Sequence, residues 1–384
     1  MTSETVSEIP FGRPMIGDDE RDAVAEVMLS PQLVHGPRIA AFETEFAAML
    51  GPEAHATSVS SCTAGLHLIY LHLGLGPGDE VIVPAETHVA TAHAVEVTGA
   101  RPVFVDCDAS GNIDVTQIPA AITDRTRVIS VVHYPGLPVD VAAVNAIAHP
   151  RGIFVVEDCA LAIGASLDGV ACGLLGDAGS FSFYPVKHMT TGEGGMVVSK
   201  DADVISSIAS LKAFGYDRSP DARKVPGVYD IARLGINYRM NEIGAAIGLV
   251  QLQKVPDFDA RRRANAHQLR GALQGVRGIT LLPDGDERRI HANYCLVAVL
   301  DADAGLDRDA TLLRLKERGI GTSVYYPVPL PLSKFYSQKY GYSTDQFPNA
   351  QRISNSSIAL PVGPHLTPND MDTIAITIAE VLGE

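Results

Sequence analysis

The sequence predicts an α/β protein in which a large domain, with a mainly parallel sheet between helices, precedes a smaller α+β domain at the C-terminal end. From residue 57 to 199, short apolar runs alternate with segments of helical periodicity, a pattern typical of a parallel sheet covered by helices on both faces. After residue 200, long helical stretches give way to a few separated strands. We therefore predict two domains, at 1–255 and 256–384, and the length suffices for a core in each.

The individual elements follow from local apolar patterning, taken in chain order. A polar N-terminal tip precedes amphipathic helices predicted at about 18–28 and 38–50. The strands predicted for the large domain are 80–83, 102–105, 128–133, 153–157, 179–183 and 196–199. The helices predicted between them are 62–73, 88–96, 118–122 and 139–148. Further along, the sequence predicts an alanine-rich helix at 241–254, strands at 291–300 and 321–326, and helices near 310–318 and 368–382.

Composition excludes several classes of partner. The net charge of −15 argues against nucleic acid and against an anionic membrane surface, both of which need a basic footprint. The start of the chain is polar and acidic, unlike a signal peptide, and no apolar run reaches membrane-spanning length. The five cysteines lack the spacing of a metal site and fit a reducing compartment. We expect a cytoplasmic protein without a bound metal.

The stretch GSFSFYPVKHMTTGEGGMVVS, at 179–199, carries the strongest chemical signal. Lys187 lies where a predicted strand passes into a turn rich in threonine and glycine. A fixed, partly desolvated lysine beside an anionic cofactor has a lowered pKa, so that its amine can form a Schiff base with an aldehyde. Ser182 can direct a hydroxyl towards a phosphate. Taken alone, this lysine has a simpler interpretation as a surface residue beside a glycine turn.

Two further segments add an anion site and a carboxylate. The sequence SSCTAGLH, at 60–67, opens a predicted helix with small and hydroxyl residues, which suits either phosphate binding or simple helix capping. Asp158 ends the apolar strand of VVEDCA, where a carboxylate is costly unless it is paired. A protonated pyridine nitrogen is one such partner. Capping of the next segment is the other interpretation.

Two more segments contribute flat or polar side chains. His88, in ETHVAT, can stack on a cofactor ring or serve a structural role. In GINYRMNE, Asn237 can bond a phosphate and Arg239 can bind a carboxylate bidentately. A polar loop with a helix cap explains the same residues equally simply. The order and spacing of all these segments together are more informative than any one of them.

In that order and spacing, the sequence resembles the DegT-like nucleotide-sugar aminotransferases, a group of pyridoxal 5'-phosphate (PLP) enzymes of fold type I. The resemblance runs from about residue 9 to 382, nearly the whole chain. It is carried by IPFGRPMIGDDE, SSCTAGLHL, GLGPGDEVIVPAETHVATA, GARPVFVD, VVEDCA, FSFYPVKHMTTGEGGMVVS, GINYRMNEIGAAIGLVQL and ALPVGPHLT. The lysine segment and NYRMNE are together highly specific to this group.

The resemblance implies catalytic roles for Lys187, which would bind PLP covalently and then move the proton of transamination, and for Asp158, which would pair with the pyridine nitrogen. It also implies cofactor contacts for a set of polar and small residues: Thr63, Ala64 and Ser182 at the phosphate, His88 over the ring, and Asn237 at the phosphate of the neighbouring subunit. The last contact implies a homodimer with sites at the interface. Arg239 and Tyr325 are implied substrate contacts.

Three positions depart from the pattern of the group. Leu161 stands where a glutamine or histidine usually bonds the phenolate oxygen of PLP, so the loss of that donor should alter the lysine–cofactor pKa unless another group replaces it. Tyr325 and Pro331 both stand where histidines are frequent, near the sugar-binding region. These two differences concern the identity of the substrate more than the chemistry.

The resemblance implies a ping-pong transaminase that takes an amino group from glutamate, holds it as pyridoxamine 5'-phosphate, and delivers it to the ketone of a nucleotide-linked keto-deoxysugar, at C4 by the likeness of IPFGRP. A sugar dehydratase is disfavoured, because such relatives carry histidine in place of the lysine that is present here as Lys187. Transamination of a keto-cyclitol stays open, and so does a PLP-binding regulatory protein without turnover. The absence of a helix-turn-helix pattern disfavours DNA binding.

Overall fold

Within residues 8–217, 225 and 228–383, which the computed structural model describes, seven strands form the central sheet. The strands of the protein, in chain order, are β1 His55–Val59, β2 Glu80–Pro84, β3 Arg101–Val105, β4 Thr126–Val132, β5 Phe154–Asp158, β6 Ser166–Leu167, β7 Val170–Ala171, β8 Ala178–Ser182, β9 Gly195–Ser199, β10 Ile279–Leu281, β11 Arg289–Ile290, β12 Leu296–Leu300 and β13 Ser357–Leu360. The central order is β1-β9-β8-β5-β4-β2-β3. Only β9 runs antiparallel to its neighbours in this sheet, so the predicted mainly parallel architecture is confirmed.

Helices cover both faces of this sheet and continue into the C-terminal part. They are α1 Asp18–Met28, α2 Pro37–Leu50, α3 Cys62–His72, α4 Val89–Glu96, α5 Ile118–Ala121, α6 Val141–Ala148, α7 Ala202–Leu211, α8 Glu242–Ala272, α9 Arg308–Glu317, α10 Lys334–Tyr340, α11 Pro348–Ser356 and α12 Pro368–Gly383. Helix α3 packs on β8 and β9, and α4 packs on α3 and β3. None of the helices in the described ranges is both long enough and apolar enough to cross a membrane.

The central strands are continuous apolar runs in sequence because both of their faces are buried. Every residue of β2, β8 and β9 is buried, because helices lie on both sides of them. Polar residues appear where parallel strands end, at Asp158 on β5 and at Ser182 on β8. In open parallel sheets that edge is where ligands bind.

The C-terminal part contains an antiparallel sheet of order β10-β12-β13 in the described residues. The strand predicted at 321–326 is wrong. Only Ser323 pairs with the sheet, through two backbone bonds to Ala359 of 3.1 and 2.9 Å. The neighbouring backbone groups are bound elsewhere, since Gly321 donates to the Ile9 carbonyl and Tyr326 donates to a side chain. β13 takes the place expected for this strand.

Helix α8 is longer than predicted and continues through Pro256, the position next to our domain division. Its first turn is capped by Asn241, whose Oδ1 accepts from the Gly244 amide at 2.8 Å. The division at 255 therefore falls inside a helix that packs on α1, α2 and α12. It stays a prediction.

Glu242, the last residue of NYRMNE, holds the start of α2. Its buried carboxylate accepts from the amides of Gly36, Arg38 and Ile39 at 3.0, 2.9 and 3.1 Å, satisfying donors that the helix leaves free. We expect Glu242→Ala to lower the free energy of unfolding by about 1–3 kcal/mol, measured by urea titration, because these buried amides lose their acceptor. Glu193→Ala, at an exposed carboxylate, is the matched control. Equal stability of the two variants would contradict this role.

Candidate active site

Asp158 is a buried acceptor at the end of β5. Its Oδ2 accepts from Thr91 Oγ1 at 2.7 Å, and its Oδ1 accepts from the Ala160 amide at 3.1 Å and, more weakly, from Cys62 Sγ at 3.7 Å. Thr91 is itself bound to Thr87 Oγ1 at 2.8 Å, so α4 fixes the carboxylate from one side. These hydrogen bonds fix the position of the Asp158 carboxylate at the end of β5.

Lys187 lies half-buried in the turn after β8, with its backbone amide bonded to the Tyr184 carbonyl at 2.9 Å. Its Nζ is 5.0 Å from the centre of the Tyr294 ring. Desolvation lowers the pKa of the lysine, and the negative charge of Asp158 partly opposes this shift. The structure thus brings the two predicted catalytic residues into one electrostatic site and favours the neutral amine that a nucleophilic lysine needs.

The start of α3 lies beside this pair. Ser61 caps the helix by accepting from the Ala64 amide at 3.1 Å, and Thr63 occupies the second helical position. Ser182 is the last residue of β8, which runs parallel to β5, so it lies at the same edge of the sheet as Asp158. The α3 N-terminus with hydroxyls around it fits a phosphate group, as the sequence predicts. The Ala64 amide, by contrast, already has a partner in Ser61.

His88 forms the exposed cap of α4. Its Nδ1 accepts from the Ala90 amide at 3.2 Å, which leaves the other ring nitrogen as the donor in the neutral form. Partial burial lowers the pKa of the imidazole; Asp158 opposes this shift and Lys187 adds to it. The His88 ring centre lies 5.8 Å from that of Tyr326. A neutral, exposed, flat ring at this place fits the predicted stacking role.

An aromatic wall beside Lys187 is formed by Phe11 from the N-terminal segment and by Tyr294, Tyr325 and Tyr326 from the C-terminal part, with Tyr294 in contact with the lysine. The hydroxyls of Tyr294 and Tyr325 are 2.8 Å apart, and their ring centres are 5.4 Å apart. Phe11 lies 5.9 Å from Tyr325, ring to ring. Tyr325 is among the residues predicted for the site, whereas Tyr294 is not. The sequence pattern of 291–300 does not distinguish a tyrosine that faces the site from one in the core.

Asn237 and Arg239 lie in the segment before α8. Asn237 is exposed, and in the described part of the chain neither residue has a hydrogen bond to Lys187 or Asp158. The Arg239 guanidinium lies 5.2 Å from the Phe214 ring centre and lines a cavity of about 550 Å³. The intervening Tyr238 carbonyl accepts from the Ser60 amide at 2.8 Å, which places this segment beside the phosphate-type helix start.

Of the three positions that depart from the group, Leu161 and Pro331 are buried and Tyr325 is partly buried. Leu161 is 2% exposed and packs in the same core cluster as Tyr134 and Tyr294. Its apolar side chain has no hydrogen-bond donor for the phenolate oxygen of PLP. Pro331 is also buried, in the short 3₁₀ turn 330–332.

A cluster of His133, Glu157 and Cys159 has the composition of a metal site, but hydrogen bonds occupy the ligand atoms of His133 and Glu157. Glu157 accepts from the His133 ring at 2.8 Å and from the amides of Gly173, Leu175 and Gly176 at 2.7 to 2.8 Å. The other nitrogen of His133 accepts from the Val139 amide at 3.1 Å. These bonds connect the end of β4 to β5 and to the loop before β8, which is a structural role.

Comparison with known proteins decides the family. The profile of the DegT/DnrJ/EryC1/StrS aminotransferase family matches residues 14–379. The chain belongs to this family. It is 35% identical over 379 residues to the spore coat polysaccharide biosynthesis protein SpsC of Bacillus subtilis, covering 97% of each chain.

Solved structures agree with this assignment. Helicobacter pylori PseC, an aminotransferase involved in the biosynthesis of pseudoaminic acid, matches with a TM-score of 0.90 and 26% identity over 98% of this chain and 100% of that one. Spr1654 of Streptococcus pneumoniae, in its PMP form, matches with a TM-score of 0.91 and 28% identity over 98% and 99% of the two chains, and it is also known in a PLP form. This aminotransferase is therefore PLP-dependent, as the sequence predicts. Its buried aspartate, half-buried lysine and hydroxyl-rich helix start suit that cofactor.

Proposed function

We propose that this aminotransferase moves an amino group from glutamate to the ketone of a nucleotide-linked keto-deoxysugar, with amination at C4, as a step of amino-sugar biosynthesis. The observation that carries the proposal is that Lys187 lies within electrostatic reach of Asp158 and against the Tyr294 ring, whose hydroxyl is bonded to Tyr325. Hydroxyl-bearing aromatic side chains suit a sugar, because each offers an apolar face and a hydrogen-bonding tip.

When bound, PLP supplies the carbonyl that accepts the amino group and the ring that stores electrons. Lys187 would hold the cofactor and then take and return the proton at its Nζ, which its lowered pKa favours. Asp158, fixed by Thr91 and the Ala160 amide, would keep a proton on the pyridine nitrogen. The start of α3 and Ser182 would bind the phosphate, and the His88 face would exclude water from one side of the ring.

Product analysis tests the substrate class. The enzyme, loaded with PLP and supplied with glutamate, would be given nucleotide-linked 4-keto-6-deoxysugars, the matching 3-keto sugars and a keto-cyclitol, with amine formation measured by mass spectrometry. Amination of a 4-keto sugar supports the proposal. Turnover confined to 3-keto sugars would contradict the C4 position, and turnover confined to the cyclitol would contradict the whole substrate class. A protein that binds PLP and aminates none of them supports the regulatory alternative.

We also propose that the active enzyme is a homodimer in which Asn237 serves the partner's cofactor. The segment before Asn237 exposes apolar side chains that a single chain leaves in water: Ile231 is 63% exposed and Leu234 is 83% exposed. Asn237 itself is exposed beside them. Exposed apolar side chains grouped on one surface mark a protein–protein contact, and an isologous dimer would bury the same group of side chains on both subunits.

Subunit mixing tests this arrangement. Lys187→Ala and Asn237→Asp chains should each be nearly inactive, since aspartate repels a phosphate. After unfolding and refolding together, half of the dimers should be mixed, and each mixed dimer should contain one site with both native residues. Activity should therefore return to about a quarter of the unmodified level. Failure to regain activity, with dimers present by light scattering, would place Asn237 in its own subunit's site.

A further inference from the structure

Glu86 is a buried acidic residue that the roles above do not use. It follows β2, two residues before His88, and is fully buried. Its Oε1 accepts from the Tyr326 amide at 2.8 Å, and its Oε2 accepts from Ser354 Oγ at 2.8 Å. Both partners belong to the C-terminal part. The Glu86 side chain therefore connects the segment after β2 to two separate C-terminal segments, one at Tyr326 and one at Ser354.

The segment that Glu86 binds carries Tyr325 and Tyr326, two of the four residues of the aromatic wall. Tyr134 Oη donates to the Tyr325 carbonyl, and the Leu330 amide donates to the Ala85 carbonyl at 2.9 Å. Glu86 lies between these two attachments and fixes the peptide that joins Tyr325 to Tyr326. Residues 325–330 are therefore attached to the segment that follows β2 and to Tyr134, the second residue after β4, rather than to a neighbouring strand.

The other side of the same segment reaches the reacting groups. The Tyr326 ring lies 5.8 Å from the His88 ring, and Tyr325 bonds through its hydroxyl to Tyr294, whose ring centre is 5.0 Å from Lys187 Nζ. A shift of the Tyr325–Tyr326 peptide would therefore move the wall that lies over Lys187. Displacements of about 1 Å cost on the order of 10²-fold in rate.

We propose that Glu86 is a positioning residue of this active site, and that its neutral carboxylic acid holds the Tyr325–Tyr326 segment in the place that the keto substrate requires. The inference rests on the Lys187 site proposed above. A neutral acid keeps both contacts, because Oε1 still accepts from the Tyr326 amide and a protonated Oε2 forms a hydroxyl–hydroxyl bond with Ser354 in which either group can donate.

The surroundings keep this acid neutral. Burial raises the pKa of Glu86 to about 8, the two hydrogen bonds oppose the shift, and Asp106 adds to it. The titratable or charged groups around it are Asp106, Cys107, Tyr134 and Tyr326, with Arg308 on the carbonyl of Ser354. The pKa values of the Cys107 thiol and of both tyrosines are raised, chiefly by burial, so these three are neutral at pH 7. Above pH about 8 a negative charge forms beside Asp106, which destabilises the attachment.

The first test is the stability of the apoprotein against pH, which does not depend on catalysis. The folded chain keeps the Glu86 proton up to about 8, whereas the unfolded chain releases it near 4.5. The free energy of unfolding of the unmodified protein therefore falls as the pH rises from about 4.5 to about 8. The glutamine of Glu86→Gln does not titrate, so this fall is absent in the variant. The melting temperature of Glu86→Gln relative to the unmodified protein should rise by about 2 °C or more across the window. A constant difference would overturn the inference.

The second test is the pH profile of the loaded enzyme. Glu86→Gln should keep activity at pH 7 within about threefold and should extend activity to higher pH, because the amide preserves both bonds without a charge. Glu86→Ala should raise KM for the keto acceptor and lower kcat/KM by about 10- to 100-fold. Glu80→Gln, at a buried glutamate on the opposite end of β2, is the matched control and should leave the acceptor KM unchanged.

The outcomes separate this inference from the proposed function. Unmodified enzyme that aminates no keto-sugar would overturn the function, whatever the Glu86 variants do. Glu86→Gln with the same alkaline decline as the unmodified enzyme, or Glu86→Ala with an unchanged acceptor KM, would overturn the positioning role alone.

Discussion

Lys187→Ala is expected to abolish covalent retention of PLP and to reduce transamination on the order of 10²–10⁴-fold or more. The reason is that Nζ would both hold the cofactor and carry the proton, and in the described part of the chain no other lysine is seen to contact the Tyr294 ring. The measurement pairs the visible absorption of dialysed protein with amine production from glutamate and a keto-sugar.

The matched control for this experiment is Lys200→Ala. Lys200 is exposed just after β9, so its loss should leave both absorption and turnover unchanged. Added methylamine should restore part of the Lys187→Ala activity if the missing group acts as a base. Undiminished turnover by Lys187→Ala would contradict the assignment.

Asp158→Asn is expected to lower kcat on the order of 10²–10³-fold while leaving the fold intact. Asparagine can still accept from Thr91, but it lacks the charge that would hold a proton on the pyridine nitrogen, and the loss of a buried charge partner costs about 2–5 kcal/mol. The change should also move the acid limb of the pH profile to lower pH. Asp158 raises the pKa of Lys187, so removing its charge lowers that pKa further.

Asp177→Asn provides the matched control, because that carboxylate accepts from the Val155 amide at 2.7 Å, just before the other end of β8. It should cost some stability without shifting the acid limb. If both variants lost activity equally, with equal loss of stability, the effect of Asp158 would be structural and the pairing with the pyridine nitrogen would be wrong.

The large domain was predictable because its signals are local. Apolar runs between helices define a parallel sheet, and Asp158 and Ser182 mark the ends of two strands. Lys187 and Asp158 are 29 positions apart in sequence, yet the rule that parallel strands end at one edge already brings them together. The family resemblance then supplied the roles.

The aromatic wall and the Glu86 attachment were not predictable from local pattern. The 321–326 segment has the composition of a strand, but apart from Ser323 its bonded backbone groups go to Glu86, Tyr134 and Ile9 instead of to a sheet. Tyr294 and Glu242 likewise take their roles from partners far away in sequence. Contacts of this kind depend on tertiary packing, which single-residue propensity does not encode.

The most direct test of the central claim is the visible absorption spectrum of the PLP-loaded protein before and after addition of glutamate. We expect a yellow band from cofactor bound to Lys187, its replacement by the pyridoxamine band with glutamate, and its return when the accepted keto-sugar is added. Lys187→Ala, treated identically, should show neither the original band nor the cycle. A spectrum of the unmodified protein that glutamate leaves unchanged would contradict the account.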